Sequence, residues 1–211
     1  MLPDSIFQIQ TQDQFKKHAL ASFNYQWEHN TIYRQFCDHL KVDPAVITQL
    51  DQIPFLPIQF FKEFKIIASD EAVQTIFTSS GTTGSITSKH YVTDLKVYEK
   101  SFRESFKLHY GAIEDFTVLA LLPSYLERDG SSLIYMVDCL IKDSKKRDSG
   151  FYLNDYNTLS EKLKRLDAAG EKVLLIGVSF ALLDLVEQFE FKLKNTIVME
   201  TGGMKGRRKE L

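Results

Sequence analysis

The chain has little cysteine and only a small surplus of negative charge. Its two cysteines, Cys37 and Cys139, form neither a Cys-x-x-Cys pair nor a disulfide framework, which excludes the small disulfide-stabilised scaffolds of secreted proteins. The formal net charge of -2 gives no global attraction to nucleic acid. These absences predict a protein of a reducing compartment, the cytoplasm, with no nucleic-acid partner.

Long apolar runs are absent as well. The most apolar window, residues 173–186, contains Asp184 and is shorter than the roughly 20 residues that a membrane-spanning helix needs. The amino terminus lacks the basic start and apolar core of a signal peptide. The five histidines have no metal-binding spacing. We therefore expect no membrane span and no export signal, and we assign no metal ligand.

The composition instead predicts a folded α/β protein. Of the 211 residues, 44% are hydrophobic, which is enough for a substantial core. In the first part of the chain, apolar residues recur at spacings near four, as in Phe15, Ala19 and Phe23, which indicates helices. Further on, strand and helix patterns alternate, which is typical of a largely parallel sheet flanked by helices. We predict a helical extension over residues 1–70 and an α/β nucleotide-binding region over residues 71–211.

The element boundaries follow from the same patterns. Asp43-Pro44 supplies an N-cap and a first-turn proline for a short helix. The predicted strands cover residues 73–78, 90–93, 116–122, 172–176 and 196–200. The predicted later helices cover residues 94–110, 131–142, 158–169 and 180–189.

A short glycine-containing connection carries the strongest functional signal. Residues 77–84 read Phe-Thr-Ser-Ser-Gly-Thr-Thr-Gly, and Lys89-His90 follow shortly after. Glycines let backbone N–H groups turn toward an anion, hydroxyls add donors, and Lys89 can neutralise phosphate charge. The segment is not a Walker loop, because it lacks Gly-x-x-x-x-Gly-Lys-Ser/Thr opening a helix. We interpret it as a phosphate-binding loop of another kind, and on composition alone a plain Ser/Thr/Gly hairpin loop is the alternative.

Other polar and glycine-bearing segments also follow predicted strands. In open parallel sheets, ligands bind beyond the carboxyl ends of the strands. We therefore expect four segments to converge on one ligand site: residues 79–84, 124–132, 177–179 and 201–206.

The glycine-containing loop resembles the phosphate signature of adenylate-forming enzymes, the superfamily of acyl-CoA synthetases and luciferases. The usual pattern of that superfamily has proline and lysine directly after the last glycine, whereas residues 85–88 intervene here before Lys89. This variant is similar to the LuxE-type acyl-protein synthetases of bacterial fatty-acid reduction. Four further segments resemble blocks of that branch in the same order, namely residues 53–58, 121–128, 177–183 and 200–208.

The resemblance implies an AMP-forming acid ligase with the fold of the large N-terminal domain of adenylate-forming enzymes. Such a ligase binds ATP with Mg²⁺ and activates a carboxylic acid, here a fatty acid, as an acyl-adenylate for transfer to a thiol or protein acceptor. The implied catalytic residues are Lys89, Thr82 and Thr83. The implied nucleotide-binding residues are Thr78, Ser79, Ser80, Gly81, Thr82, Thr83 and Gly84, with Gly202, Gly203 and Met204 against the adenine.

The resemblance also implies parts that this sequence does not contain. The ribose-binding aspartate and the smaller lysine-bearing domain of the family have no counterpart up to Leu211, so we expect the amino-terminal part of such an enzyme, inactive alone. In the family, a cysteine near the carboxyl end receives the acyl group. Neither Cys37 nor Cys139 matches that cysteine, so we expect both to be buried, inert thiols.

Residues 123–132 and Ser179 can each be interpreted in two ways. Residues 123–132 combine charges and hydroxyls at a strand end, so Ser124, Tyr125 and Arg128 are candidate substrate-binding residues. The alternative for this segment is a surface turn whose Ser131 caps the next helix. Ser179 is a further substrate-binding candidate, but it lacks the second glycine of a nucleophile elbow and also fits a helix cap.

Three classes of function stay open at this point. The leading hypothesis is ATP-dependent activation of a carboxylic acid. The second is a non-catalytic or split subunit that binds nucleotide or acyl groups, and the third is an acyltransferase that does not use ATP. Adenylation requires ATP and releases pyrophosphate, a binding module binds ATP without that release, and a transferase ignores ATP.

Overall fold

The computed structural model of the protein describes residues 3–68, 70–79, 87–122 and 130–202. The chain divides into two compact units, residues 1–101 and 102–211, and one helix, Leu95–Tyr110, contains the division. The boundary near residue 70 that the sequence patterns suggest stays a prediction.

Unit 1 (residues 1–101) opens with the predicted helices. The first of them starts at a capping box, in which Thr11 Oγ1 accepts from Gln14 N while the Gln14 side chain accepts from Thr11 N. The predicted short helix at Asp43-Pro44 is confirmed as a 3-10 turn, with Asp43 Oδ1 accepting from Ala45 N at 2.9 Å. The α-helices here are α1 (Gln12–His29), α2 (Thr31–His39) and α3 (Phe60–Glu63), and 3-10 turns cover Pro3–Gln8, Pro44–Val46 and Leu50–Gln52.

A single buried residue, Asn30, separates α1 from α2. Its Oδ1 accepts from Tyr33 N at 3.1 Å and caps α2, while its Nδ2 donates to Gln26 Oε1 at 3.0 Å. The turn brings the rings of Phe23 and Tyr33 edge to face, with centroids 6.2 Å apart. Phe23, Tyr33 and Cys37 form the buried core of these helices.

A β-hairpin completes the strands of unit 1. Its strands are β1 (Thr75–Thr78) and β2 (Lys89–Val92), and they pair antiparallel, with Thr75 opposite Val92 and Thr78 opposite Lys89. The alternating pattern suggested that both strands join the parallel sheet, whereas among the described residues they pair only with each other. Two strands joined by a short connection can pair directly as a hairpin, which the alternation of strands and helices does not reveal.

Unit 2 (residues 102–211) contains the predicted parallel sheet, which confirms the α/β class. Its strands are β3 (Phe116–Leu121), β4 (Gly150–Phe151), β5 (Lys172–Gly177) and β6 (Thr196–Glu200), in the order β4-β3-β5-β6. All described pairings in this sheet are parallel. The helices around it are α4 (Leu95–Tyr110, from residue 102 on), α5 (Ser132–Ser144), α6 (Tyr156–Ala168) and α7 (Ser179–Gln188).

The central strands explain why this sheet was predictable. Every residue of β3 is buried, as are five of the six residues of β5, so both read as continuous apolar runs. Strand β4 was missed in the sequence because it is only two residues long and contains a glycine. None of the helices in the described part of the chain combines the length and apolarity of a membrane span.

One buried carboxylate ties α6 to the start of β6. Asp167 is 6% exposed and accepts from Asn195 N at 2.7 Å, from Thr196 Oγ1 at 2.8 Å and from Lys194 N at 2.9 Å. Burial by itself raises the pKa of this carboxyl, but the hydrogen bonds outweigh burial and hold its pKa below the ordinary value. Asp167 therefore fixes where the edge strand β6 begins.

We expect Leu119→Ala in β3 to lower the free energy of unfolding by about 2–5 kcal/mol, because Leu119 is fully buried and the truncation leaves a cavity. The matched control is Leu108→Ala, since Leu108 is 80% exposed and its loss should cost less than about 0.5 kcal/mol. Urea unfolding measures both variants. Equal stabilities of the two variants would contradict the assignment of β3 to the core.

We expect Asp167→Asn to destabilise the protein at neutral pH, because an amide nitrogen cannot accept the hydrogen bonds that the carboxylate accepts. The pKa of Asp167 is lowered by folding, so its stabilisation is present above the ordinary value of 3.8 and is lost as the pH falls through the lower pKa of the folded state. The stability difference between wild type and variant should therefore shrink at acid pH. Urea unfolding at pH 7 and near pH 3 measures it, with exposed Glu190→Gln as the control.

Candidate functional site

The structure places the predicted cation, Lys89, where the predicted phosphate loop begins and ends, while residues 80–86 of that loop lie outside the described part of the chain. Lys89 lies directly opposite Thr78 in the hairpin, so the two side chains project from the same face. One residue further out, Ser79 N donates to Ser88 O at 3.1 Å, and Ser88 N donates to Ser79 Oγ at 3.0 Å. Lys89 therefore lies beside Thr78, where the predicted loop begins, although four residues separate it from Gly84 in the sequence.

A cleft lies beside this base. It has a volume of about 440 Å³, and its wall includes Thr87, Lys89 and two lysines of the α3 region, Lys62 and Lys65. We call it the lysine cleft. Glu63 also lines it, so the charged side chains of the wall are three lysines and one glutamate. A surplus of positive charge next to hydroxyl groups suits an anion.

Lys62 and Lys65 reach the lysine cleft because α3 is short. The helix ends after one turn, where Phe64 N donates to Phe60 O at 2.8 Å, and the chain then runs extended past β2. The Lys65 ammonium lies 5.5 Å from the centroid of the Tyr91 ring, which fixes it against β2. Sequence reasoning missed both lysines. The signal for them was Phe-Lys-Glu-Phe-Lys, residues 61–65, but nothing in that pattern connects it to the distant loop.

In unit 2 the carboxyl ends of β5 and β6 carry a second group of polar residues. Thr201 donates to the Gly177 carbonyl from both its N–H, at 3.0 Å, and its hydroxyl, at 3.1 Å. A Cβ atom on Gly177 would lie 2.9 Å from the Leu182 side chain and 3.2 Å from the Leu121 carbonyl, so a larger residue would force these neighbours to move. Gly202 has a φ of +80°, which also favours glycine. The chain thus turns at Thr201 and Gly202, directly after β6, where the sequence predicts a glycine turn.

Glu200 organises this bend. Its carboxylate accepts from the Ser179 hydroxyl and, at 2.8 Å, from Gly202 N. The interpretation of Ser179 as a helix cap is wrong, because Val178 is the N-cap of α7 and Ser179 is the first residue of the helix. A β-branched apolar residue at the N-cap offers no side-chain acceptor, so the sequence pointed to the neighbouring serine instead.

Comparison with known proteins identifies the part of the chain that holds the hairpin and the lysine cleft. A family model described as acyl-protein synthetase, LuxE, matches residues 4–104. Residues 4–104, slightly less than half of the chain, are thus similar to the LuxE acyl-protein synthetase family, and we call them the LuxE segment. The sequence resemblance to this family is thereby confirmed, and all residues of the lysine cleft lie inside the LuxE segment.

Two curated relatives support the same assignment. Both are named long-chain-fatty-acid--luciferin-component ligase. The protein from Photorhabdus luminescens is 40% identical over 70 residues, which cover 33% of this chain and 60% of the relative. The protein from Vibrio harveyi is 36% identical over 78 residues, which cover 36% of this chain and 20% of the relative. The chain thus matches less than two thirds of the length of either relative.

Several residues that the sequence resemblance singled out lie outside the described residues, so their roles stay predictions. In the LuxE segment the structure describes Thr78, Ser79 and Lys89, and it brings these three together at the loop base. In unit 2 it describes Ser179 and Gly202, which share the Glu200 carboxylate. Outside the described part lie Ser80, Gly81, Thr82, Thr83 and Gly84 of the loop, Ser124, Tyr125 and Arg128, and Gly203 and Met204. The alternative role of Ser131 as a helix cap is confirmed, since its Oγ accepts from Ile134 N.

The two cysteines differ in their environment. Cys37, in the LuxE segment, is fully buried, and burial raises the pKa of its thiol, which keeps the thiol protonated and unreactive at neutral pH. Burial also raises the pKa of the neighbouring Tyr33. Cys139 on α5 is only partly buried, so the expectation of a buried thiol holds for Cys37 alone. Among the described residues no cluster of three or more His, Cys, Asp or Glu side chains can hold a metal ion.

We expect Glu200→Ala to speed amide hydrogen exchange at Gly202 by about tenfold, because the N–H loses a charge-assisted hydrogen bond of ~1.5 kcal/mol. Thr201 provides an internal control, since its N–H bonds to the Gly177 carbonyl and not to Glu200. Exchange measured by NMR at neutral pH distinguishes the two amides. Unchanged exchange at Gly202 would show that Glu200 does not organise the bend.

Proposed function

We propose that the chain takes part in the ATP-dependent activation of a long-chain fatty acid, as an AMP-forming ligase of the acyl-protein synthetase kind. In the proposed reaction, a carboxylate oxygen of the acid attacks the α-phosphorus of ATP. The bond from that phosphorus to the bridging oxygen breaks, and pyrophosphate leaves with the bonding electrons. The product is an acyl-adenylate, from which the acyl group passes to a thiol or protein acceptor.

The observation that carries the proposal is the lysine cleft at the base of the phosphate loop. Negative charge builds up on phosphate oxygens during the transfer, so fixed cations and hydroxyl donors stabilise the transition state more than the ground state. Lys89 lies opposite Thr78 at the loop base, and Lys62 and Lys65 line the same cleft as Lys89. Three cations suit a triphosphate better than they suit a singly charged anion such as a free carboxylate.

The substrate class rests on the relatives. Both matched proteins are named as ligases that join a long-chain fatty acid to a luciferin component, and the LuxE segment includes the whole hairpin and lysine cleft. We carry the fatty acid and the protein acceptor over to this chain as part of the proposal. We also propose that ATP binds together with Mg²⁺. The low cysteine content fits a cytoplasmic setting.

The remaining assignments complete the proposal. The loop residues Ser80, Gly81, Thr82, Thr83 and Gly84 supply donors to the phosphates, together with Thr78 and Ser79. In unit 2, Gly202, Gly203 and Met204 contact the adenine, where the absence of Cβ atoms allows the backbone to approach a flat ring. We also propose that the fold corresponds to part of the large N-terminal domain of adenylate-forming enzymes. In this proposal, the parallel sheet of unit 2 positions the residues that contact the adenine.

We expect Lys89→Ala and Lys65→Ala each to weaken ATP binding at least tenfold, because each variant removes a charge-assisted contact worth about 1.5–3 kcal/mol. Calorimetric titration with ATP and Mg²⁺ measures the dissociation constant. The matched control is Lys96→Ala, which removes the same charge from an exposed position at the start of α4.

Pyrophosphate release on addition of fatty acid is followed in the same samples. Release that depends on both ATP and acid supports the ligase. ATP binding without release indicates a binding module, and the absence of ATP binding by folded wild type would reject the nucleotide-dependent function and favour an acyltransferase. Equal ATP affinities of the Lys89, Lys65 and Lys96 variants would reject the lysine cleft as the phosphate site.

A further inference from the structure

Unit 1 contains a second cavity that the phosphate chemistry does not use. Its volume is about 440 Å³, within the usual range for small-molecule pockets. Most of its wall is aromatic or aliphatic, and it includes Tyr25, Tyr33, Leu56, Phe61, Ile67 and Tyr91. We call it the aromatic pocket. The whole of it lies inside the LuxE segment.

The buried polar groups of the aromatic pocket are already engaged within the protein. Asn30 is 3% exposed, and both ends of its amide are bonded, to Tyr33 N and to Gln26 Oε1. The Tyr33 hydroxyl donates to the Pro54 carbonyl at 2.6 Å. A ligand therefore gains few hydrogen bonds from this part of the wall, and its own polar groups would lose their hydration without replacement. This buried part of the wall thus favours the apolar part of a ligand.

The aromatic pocket adjoins the lysine cleft. Phe61 and Tyr91 line both cavities, and His90, which stacks on Phe61 with ring centroids 5.9 Å apart, follows Lys89 directly in β2. An apolar pocket that shares walls with a cationic cleft matches a molecule with a long apolar body and an anionic end. A fatty acid has this composition.

We propose that the aromatic pocket binds the alkyl chain of the acid substrate, with the carboxylate toward the lysine cleft. The inference rests on the proposed function for the identity of the ligand, but it assigns a binding site for the chain that the phosphate chemistry does not require. Each methylene that enters the pocket should strengthen binding about fourfold, which corresponds to ~0.8 kcal/mol. Affinity should therefore rise steadily from hexanoate through octanoate to decanoate.

Calorimetric titration of the full chain with these three acids, with and without ATP and Mg²⁺, tests the proposal. The informative variant is Ala68→Phe, because Ala68 lines the pocket and is only partly buried, so a larger side chain fills the cavity without entering the core. The matched control is Ala45→Phe, which adds the same side chain at an exposed position of a 3-10 turn. Ala68→Leu fills less of the cavity and serves if Ala68→Phe does not fold.

The expected result is a rise in affinity with chain length in wild type and in Ala45→Phe, and at least a tenfold loss of decanoate affinity in Ala68→Phe or Ala68→Leu. ATP affinity should be the same in all four proteins. Unchanged decanoate affinity in the filled variants, or no dependence on chain length in wild type, would overturn the pocket assignment. These outcomes leave the proposed function standing if ATP still binds, whereas loss of ATP binding in folded wild type rejects that function independently.

Discussion

The antiparallel register of β1 and β2 decides which side chains lie together where the hairpin connection begins, and therefore where the proposed anion site lies. Side chains alternate between the two faces of a hairpin, so a shift of one residue would exchange Lys89 with His90 opposite Thr78. The register is held from the other face by Phe77, which is buried and packs on Tyr98 with ring centroids 5.0 Å apart. Burial of one aromatic residue therefore keeps a lysine at the loop base, beside the lysine cleft and the aromatic pocket.

A different constraint shapes unit 2. In a parallel sheet, all strands end at the same edge, so residues far apart in the sequence meet there. Ser179 and Glu200 come together in this way, at the ends of neighbouring strands that pair residue by residue up to Gly177 and Glu200. Asp167 sets the start of β6 and thereby the position at which Glu200 leaves the sheet. A buried carboxylate thus anchors the amino-terminal end of β6, the strand whose carboxyl-terminal end carries Glu200.

Much of the fold was predictable because its signals are local. The continuous apolar runs of β3 and β5 and the cap of Asp43 before Pro44 each depend on neighbours in sequence. Where a signal was weak, prediction failed: β4 is two residues long, and the N-cap of α7 is a valine that no capping preference identifies. The separate hairpin was missed for another reason, since strand pairing is a contact between segments and not a property of either one.

The sequence by itself determined the α/β class, the helical start, most element boundaries and the family resemblance, because periodicity, capping and motif order are carried by adjacent residues. Only the tertiary structure decided which side chains meet. Lys62 and Lys65 line the same cleft as Lys89, and Leu56 and Ile67 share a pocket with Tyr25, because packing brings together segments that no local pattern connects. Cavities and charge clusters arise from such distant contacts, which are set by the burial of apolar surface across the whole unit.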